Sequence, residues 1–127
     1  MRVLLDTQAF IELARQGLPG VSSRARRLVE DEGNELLLSA VSITEIAIKT
    51  NLQKLTITAA DTLKAAEDMR LVLVPFEPRH AMRLFDLPLH HRDPFDRMLI
   101  ATALSEDIPL ISQDGEFKKY RRLNVIW

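Results

Sequence analysis

Short apolar runs that stop at an acidic, hydroxyl or proline residue set the strongest limit on how this chain folds. Val3-Leu4-Leu5 ends at Asp6, Leu36-Leu37-Leu38 leads into Ser39, and Leu71-Val72-Leu73-Val74 ends at Pro75. Pro109-Leu110-Ile111 runs into Ser112, and Asn124-Val125-Ile126 follows. Runs this short, apolar throughout rather than alternating, suit strands buried on both faces. Between them stand segments with helical spacing. Phe10, Leu13 and Ala14 mark a helix closed by Gly17, with Pro19 beyond. Ser22 to Glu32 carries Ala25, Leu28 and Val29 on one face, and Gly33-Asn34 ends it. Further helices are expected around Val41 to Ile48, Thr58 to Arg70 and Pro78 to Leu87, and from Pro94 onward, with a short helical turn opened by Asp114. Strands alternating with helices predict an α/β fold of three layers, α/β/α, with a short, mostly parallel central sheet covered on both faces.

The 127 residues, of which 46% are hydrophobic, suffice for one core and fit one domain spanning 1–127. Lys and Arg number 17 against 18 Asp and Glu, so the chain does not have the overall basic charge of a protein that grips nucleic acid by charge alone. Basic residues gather locally, in Arg24 to Arg27, Arg79 to Arg92 and Lys118 to Arg122, where solvated helix faces are the simplest account. The absence of cysteine excludes thiolate metal sites and a cysteine nucleophile, and it suits a reducing compartment. Asp6 interrupts the apolar start that a signal peptide would need, and no apolar run approaches the ~20 residues of a membrane span. A soluble, cytoplasmic protein with no membrane association is therefore expected.

In an open parallel sheet, ligands bind at the carboxyl ends of the strands. Asp6 directly follows the first strand, Glu45 stands in the helix after the second, Asp96 in the first turn of the helix from Pro94, and Asp114 three residues after Ile111. Each has an ordinary alternative. Asp6 and Asp114 fit helix caps, Ser42-Ile43-Thr44-Glu45 fits a capping box, and Asp93-Pro94-Phe95-Asp96 fits a cap with proline at the first helical position. Thr58-Ala59-Ala60-Asp61 reads as a helix start with no chemistry attached. Convergence would change the balance: two carboxylates ~5 Å apart repel by about 3 kcal/mol at an effective dielectric near 20, whereas a cap contributes only ~1 kcal/mol. Protons or a cation would have to neutralise such a pocket. Oxygen ligands without cysteine or a paired histidine motif favour Mg2+ or Mn2+.

Four blocks, in order and spanning nearly the whole chain, carry a family resemblance. They are Leu4-Leu5-Asp6-Thr7, Ser39 to Ile46, His91 to Ala103 with its Asp93-Pro94-Phe95-Asp96-Arg97 segment, and Leu110-Ile111-Ser112-Gln113-Asp114-Gly115-Glu116-Phe117. On these blocks the chain resembles the PIN-domain ribonucleases, most closely the VapC-type toxins of bacterial and archaeal toxin–antitoxin pairs. The resemblance implies that Asp6, Glu45 and Asp96 are the core acids and Asp114 the fourth, together holding Mg2+ or Mn2+ and acting in catalysis. Thr7 and Ser112 match small hydroxyl positions supporting the acids. Asp93 is left as helix cap, supporting group or extra metal contact, and Arg97 as a phosphate contact or the partner of a neighbouring acid.

The implied reaction is hydrolysis of an RNA phosphodiester, with Asp114 or Glu45 orienting the attacking water. Arg92, Arg97, Lys118, Lys119 and Arg121 are candidates for RNA backbone contacts. The resemblance also implies a homodimer and an antitoxin that covers the acids. His90 and His91 read as solvated or packing side chains, and Tyr120 and Trp127 as core or dimer contacts. Rival classes fit less well. A phosphatase with an Asp nucleophile after the first strand would want a second Asp where Gln8 stands, and a phospho-accepting receiver would want its Asp where Val74-Pro75-Phe76 stands. A catalytically silent RNA-binding or scaffold domain of the same fold is the remaining alternative.

Overall fold

A computed structural model describes residues 1–127. Five strands, β1 (Arg2–Leu5), β2 (Glu35–Ser39), β3 (Val72–Val74), β4 (Leu110–Ile111) and β5 (Val125–Ile126), form one sheet in the order β3-β2-β1-β4-β5. Every pairing is parallel. Six α-helices accompany them: α1 (Thr7–Gln16), α2 (Ser23–Glu30), α3 (Ala40–Asn51), α4 (Ala59–Asp68), α5 (Pro78–Arg83) and α6 (Pro94–Glu106). Three-ten turns cover Leu18–Gly20, Leu84–Asp86 and Gly115–Lys119.

The strands divide two cores between them by alternation. Val3, Leu5, Leu36, Leu38, Ile111 and Ile126 join Phe10 and Leu13 of α1, Ala25 of α2 and Ala66 of α4. Leu4, Leu37 and Leu110 face the other way, against Leu99, Ile100 and Ala103 of α6 and Phe117 and Tyr120 near the C-terminus. Successive strand side chains point to opposite faces, so each strand serves both cores. Cover is incomplete at the β3 edge, where Val72 and Leu73 are exposed.

Local signals explain most element ends. Asp6 caps α1, its Oδ1 accepting from the Ala9 amide at 2.6 Å, and Ser22 caps α2. Gly17 takes φ +66°, which a residue without Cβ adopts at no steric cost. Gly20 is needed for space: a Cβ there would lie 2.9 Å from the Glu12 carbonyl oxygen. The cap of α3 differs from the Ser42–Glu45 box expected. Ser39 is the N-cap, bonding the Val41 amide, and Ser42 lies inside the helix, where its Oγ accepts from the Thr7 hydroxyl at 2.9 Å. Thr58 and Asp61 do form a capping box. No helix is long and apolar enough to cross a membrane.

Candidate active site

The central strands end in step. Leu5 pairs with Leu38 and with Ile111, so Asp6, Ser39 and Ser112 succeed them side by side at the carboxyl edge, all three buried. This edge is walled by the first turn of α1, by α3 and by the start of α6, and it holds a cavity of about 400 Å3. Asp6, Glu45, Asp93, Asp96 and Asp114 all line it. The five carboxylates come from four separate segments that only the sheet brings together.

Their surroundings differ. Asp6 is pushed up to about 6, mainly because burial disfavours its charge; bonds from the Ser112 hydroxyl and the Ala9 amide pull it down, and Glu45 and Asp114 push it up. Asp96 is pushed further, to about 7, by burial and then by the charges of Asp93, Glu45, Asp6 and Asp114. Asp93 caps α6, its Oδ1 accepting from the Asp96 amide at 2.9 Å. Asp114 caps the last three-ten turn through the Glu116 amide, while its own amide donates to Ser112 Oγ. Glu45 is buried, and its Oε1 has no hydrogen-bond partner.

Glu45 Oε2 instead meets the Lys49 ammonium at 2.5 Å. Lys49 lines the cavity and is raised above the ordinary lysine range, first by its bond to Glu45 and further by the charges of Glu45, Asp93 and Asp96, against partial burial. Sequence reasoning passed over Lys49, although its i, i+4 spacing from Glu45 is the usual signal for such a pair. One ammonium against five carboxylates leaves an excess of negative charge. With oxygen-only donors and an orphaned buried Glu45 oxygen, this set fits a hard divalent cation.

Arg97 does not take the acid-partner role considered for it. Its guanidinium donates to the carbonyls of Leu87 and Pro88, at 3.2 and 2.9 Å, and to the Tyr120 hydroxyl at 3.4 Å, pairing with no acid. Arg92 is exposed beside Leu84, Leu89 and Pro94, on a different cavity from the acids. Lys118 is exposed, and Lys119 pairs with Glu116 at 2.7 Å. Arg121 and Lys119 line a cavity separate from the acidic one. His91 is a packing residue: its Nδ1 is 2.8 Å from the Tyr120 hydroxyl, and its Nε2 lies 3.6 Å from Asp96 Oδ2. Tyr120 is core, as is the inner side of Trp127.

A second group of ligand-type side chains, Glu77, His80 and Glu106, gathers within 4.8 Å. It stands at the opposite end of the strands, where Arg2 reaches Glu106. Its atoms are already partnered. His80 Nδ1 accepts from the Glu77 amide, His80 Nε2 faces Glu106 Oε1 at 2.8 Å, and Arg79 bonds both Glu77 and Glu106. Two arginines supply the charge that a metal would, so this is a salt-bridged cap of α5.

The receiver alternative fails on topology. That fold places its third strand at the centre of the sheet, whereas β3 here is an edge strand and β1 is central.

The model of the PIN domain family matches residues 3–123. No curated protein is similar enough in sequence to count as a relative. Among solved structures, VapBC2 from Rickettsia felis, bound to a DNA fragment from its promoter, superposes with a TM-score of 0.72 at 15% identity, covering 98% of this chain and 97% of that one. DNA-bound VapBC from Salmonella typhimurium gives 0.71 at 15% identity, with 98% and 96% covered. VapBC-5 of Mycobacterium tuberculosis, from a family of toxin–antitoxin systems, gives 0.64 at 19%, again with 98% and 96% covered. The family match, over nearly the whole length and on the same α/β fold, identifies the chain as a member of the PIN domain family.

Proposed function

We propose that the chain, as one PIN domain over 1–127, is a metal-dependent endoribonuclease and the toxin of a toxin–antitoxin pair. The observation that carries this is the convergence of Asp6, Glu45, Asp93, Asp96 and Asp114 on one cavity, with Asp6 and Asp96 both raised and Glu45 Oε1 left without a partner. Carboxylates that resist ionisation in the bare protein are groups a divalent cation would favour. Membership of the PIN family and the likeness to VapBC structures support the nuclease and toxin assignments.

Asp6, Glu45, Asp96 and Asp114 would hold Mg2+ or Mn2+, which on binding supplies charge neutralisation and activation of water for attack on a phosphodiester. The protein's part is placement. Asp6 is held by the Ala9 amide and by the Ser112 hydroxyl. Thr7 is tied to Ser42, fixing α1 against α3. Asp93 and Asp114, each anchored as a cap, keep one carboxylate oxygen committed and offer the other to the cavity. Of the acids, Asp114 and Glu45 are best suited to orient water, since Glu45 Oε1 has no partner within the protein.

An antitoxin partner would shield this cavity. A homodimer would cover the exposed Met82, Phe85 and Leu89, which lie near one another in sequence around the end of α5. The proposed location is the cytoplasm.

Cleavage of a labelled RNA pool by the purified protein, with Mg2+, Mn2+ or EDTA and beside Asp96→Asn, tests this reading. Metal-dependent cutting lost in the variant is expected. A folded, antitoxin-free protein that cuts nothing with either metal would shift the assignment to a silent RNA-binding or scaffold domain.

A further inference from the structure

A second cavity, of about 550 Å3, adjoins the acidic one and has the opposite charge. Arg83 at the end of α5 and Lys119, Arg121 and Arg122 after β4 stand around it, with Asp86 as its one carboxylate. Lys119 is paired with Glu116, but Arg83, Arg121 and Arg122 form no ion pair. Unpaired guanidiniums around a concavity focus positive potential, and their planar fork matches a phosphate with two parallel bonds. The interior is apolar, formed by Leu87, Pro88, Leu104 and Tyr120. His90 also lines it, its ring edge-on to Tyr120 at 4.8 Å and 82°. Cations around an apolar and aromatic lining are what a single-stranded nucleic acid requires: charge for its backbone and a surface for a base.

The wall between the cavities is thin. Asp96 Oδ2 lies 3.6 Å from His91 Nε2, and His91 Nδ1 lies 2.8 Å from the Tyr120 hydroxyl that borders the basic cavity. Arg97 ties that same hydroxyl to the Leu87 and Pro88 carbonyls, so the wall is braced from behind. A strand with one phosphate at the acids would therefore pass its neighbouring nucleotides over Tyr120.

We propose that the cavity of Arg83, Arg121, Arg122 and His90 is a nucleotide subsite for single-stranded RNA, holding a residue that flanks the cleaved bond. This rests on the ribonuclease reading for its position relative to the cut, but not for binding itself. The guanidiniums take the flanking phosphate, and the base lies on the apolar lining beside His90. The acids exclude bare phosphate from their own cavity until a cation is present, so the basic cavity is where a strand is first held. Asp86 is the one carboxylate acceptor there, and it suits an amino group on the base.

The test is binding of a fluorescein-labelled single-stranded RNA dodecamer of mixed sequence to the Asp96→Asn protein across a salt series. Adding Arg83→Ala, Arg121→Ala and Arg122→Ala is expected to weaken binding by at least tenfold. It should also flatten the salt slope by about 2, since each phosphate neutralised on a single strand contributes ~0.7. A charge-matched set on the other helical layer, Arg15→Ala, Arg24→Ala and Arg27→Ala, is the comparison. Equal weakening by both sets, or none by the cavity set in a folded protein, overturns the subsite. Cavity-dependent binding together with an unsubstituted protein that never cuts RNA would uphold the subsite and fail the nuclease reading. Cutting with no dependence on the cavity would do the reverse.

Discussion

The Lys49 ammonium sits 2.5 Å from Glu45 Oε2, so the acidic cavity carries a cation of its own, one helical turn along α3. In the metal-free protein this contact offsets charge that would otherwise be buried and unpaired. Lys49→Gln is expected to lower metal-free stability by about 1–2 kcal/mol; the loss stays modest because the lysine side chain is 39% exposed. Saturating Mg2+ should narrow the difference, since a divalent ion takes over the neutralisation. Thermal denaturation with and without Mg2+ measures both, and an equal loss in the two conditions would argue that Lys49 acts apart from the metal site.

Asp96 gives a pH dependence of definite sign. Its folded pKa, about 7, lies above the ordinary 3.8, so between those values the folded state binds more protons than the unfolded one. Stability therefore falls as pH rises through this window, and the penalty is complete above about 7. Asp6, raised to about 6, acts in the same direction. Asp96→Asn removes the penalty and should raise metal-free stability at pH 8 by about 2 kcal/mol. The gain should shrink as pH falls toward 3.8 and vanish only below it, near pH 3, where the wild-type carboxyl is mostly protonated in both states. Urea titrations at the two pH values compare them.

Divalent metal should reverse that trend. A cation bound only by the folded state stabilises it by about 2.7 kcal/mol at 100 times its dissociation constant. Mg2+ should raise the melting temperature of the wild type, most at pH above 7, and much less in Asp6→Asn or Asp96→Asn. In RNA cleavage the same variants should lose more than the roughly 10–100-fold typical of groups one shell removed from a metal.

Arg97 separates bracing from phosphate contact. Its guanidinium bonds two carbonyls and a phenol, and bonds from charged groups contribute about 1.5–3 kcal/mol each. Arg97→Gln is thus expected to destabilise the fold by about 2–3 kcal/mol in denaturant. An unchanged midpoint with a reduced salt slope for RNA binding would instead support the phosphate role.

Gly20 is a packing constraint with a simple check. Gly20→Ala would drive a Cβ to 2.9 Å from the Glu12 carbonyl and 3.2 Å from Gln16 Cβ. A cost of about 1–3 kcal/mol in unfolding experiments is expected.

The parts of this site that the sequence announces are those tied to strand ends. Asp6 and Ser112 follow apolar runs directly, so β1 and β4 place them together with no further information. Glu45 is legible from its place in the helix that follows β2, but the cap is not: Ser39 and Ser42 are both hydroxyls near the start of the same apolar helix, and Ser39 is the one that caps it. Helix ends without glycine were less visible: Gln53, Arg70 and Asp107 adopt left-handed backbone after α3, α4 and α6. The strand ending at Val74 is third in sequence but lies at the sheet edge, since spatial order is a property of crossovers and not of chain order. Nor was the basic cavity legible. Arg83 and Arg122 are far apart in the chain, and only the packing of α5 and α6 against the C-terminal turn joins them.

The alternation of Val3, Leu4 and Leu5 between the two cores has a consequence for how such a chain tolerates change. An insertion or deletion of one residue within β1 would exchange the faces of the side chains that follow it. The core residues opposite would then meet the wrong partners, and Asp6 would step out of line with Ser39 and Ser112. The first acid is thereby coupled to foldability itself: a length change that displaced it would be lost as an unstable protein before it could persist as an inactive one.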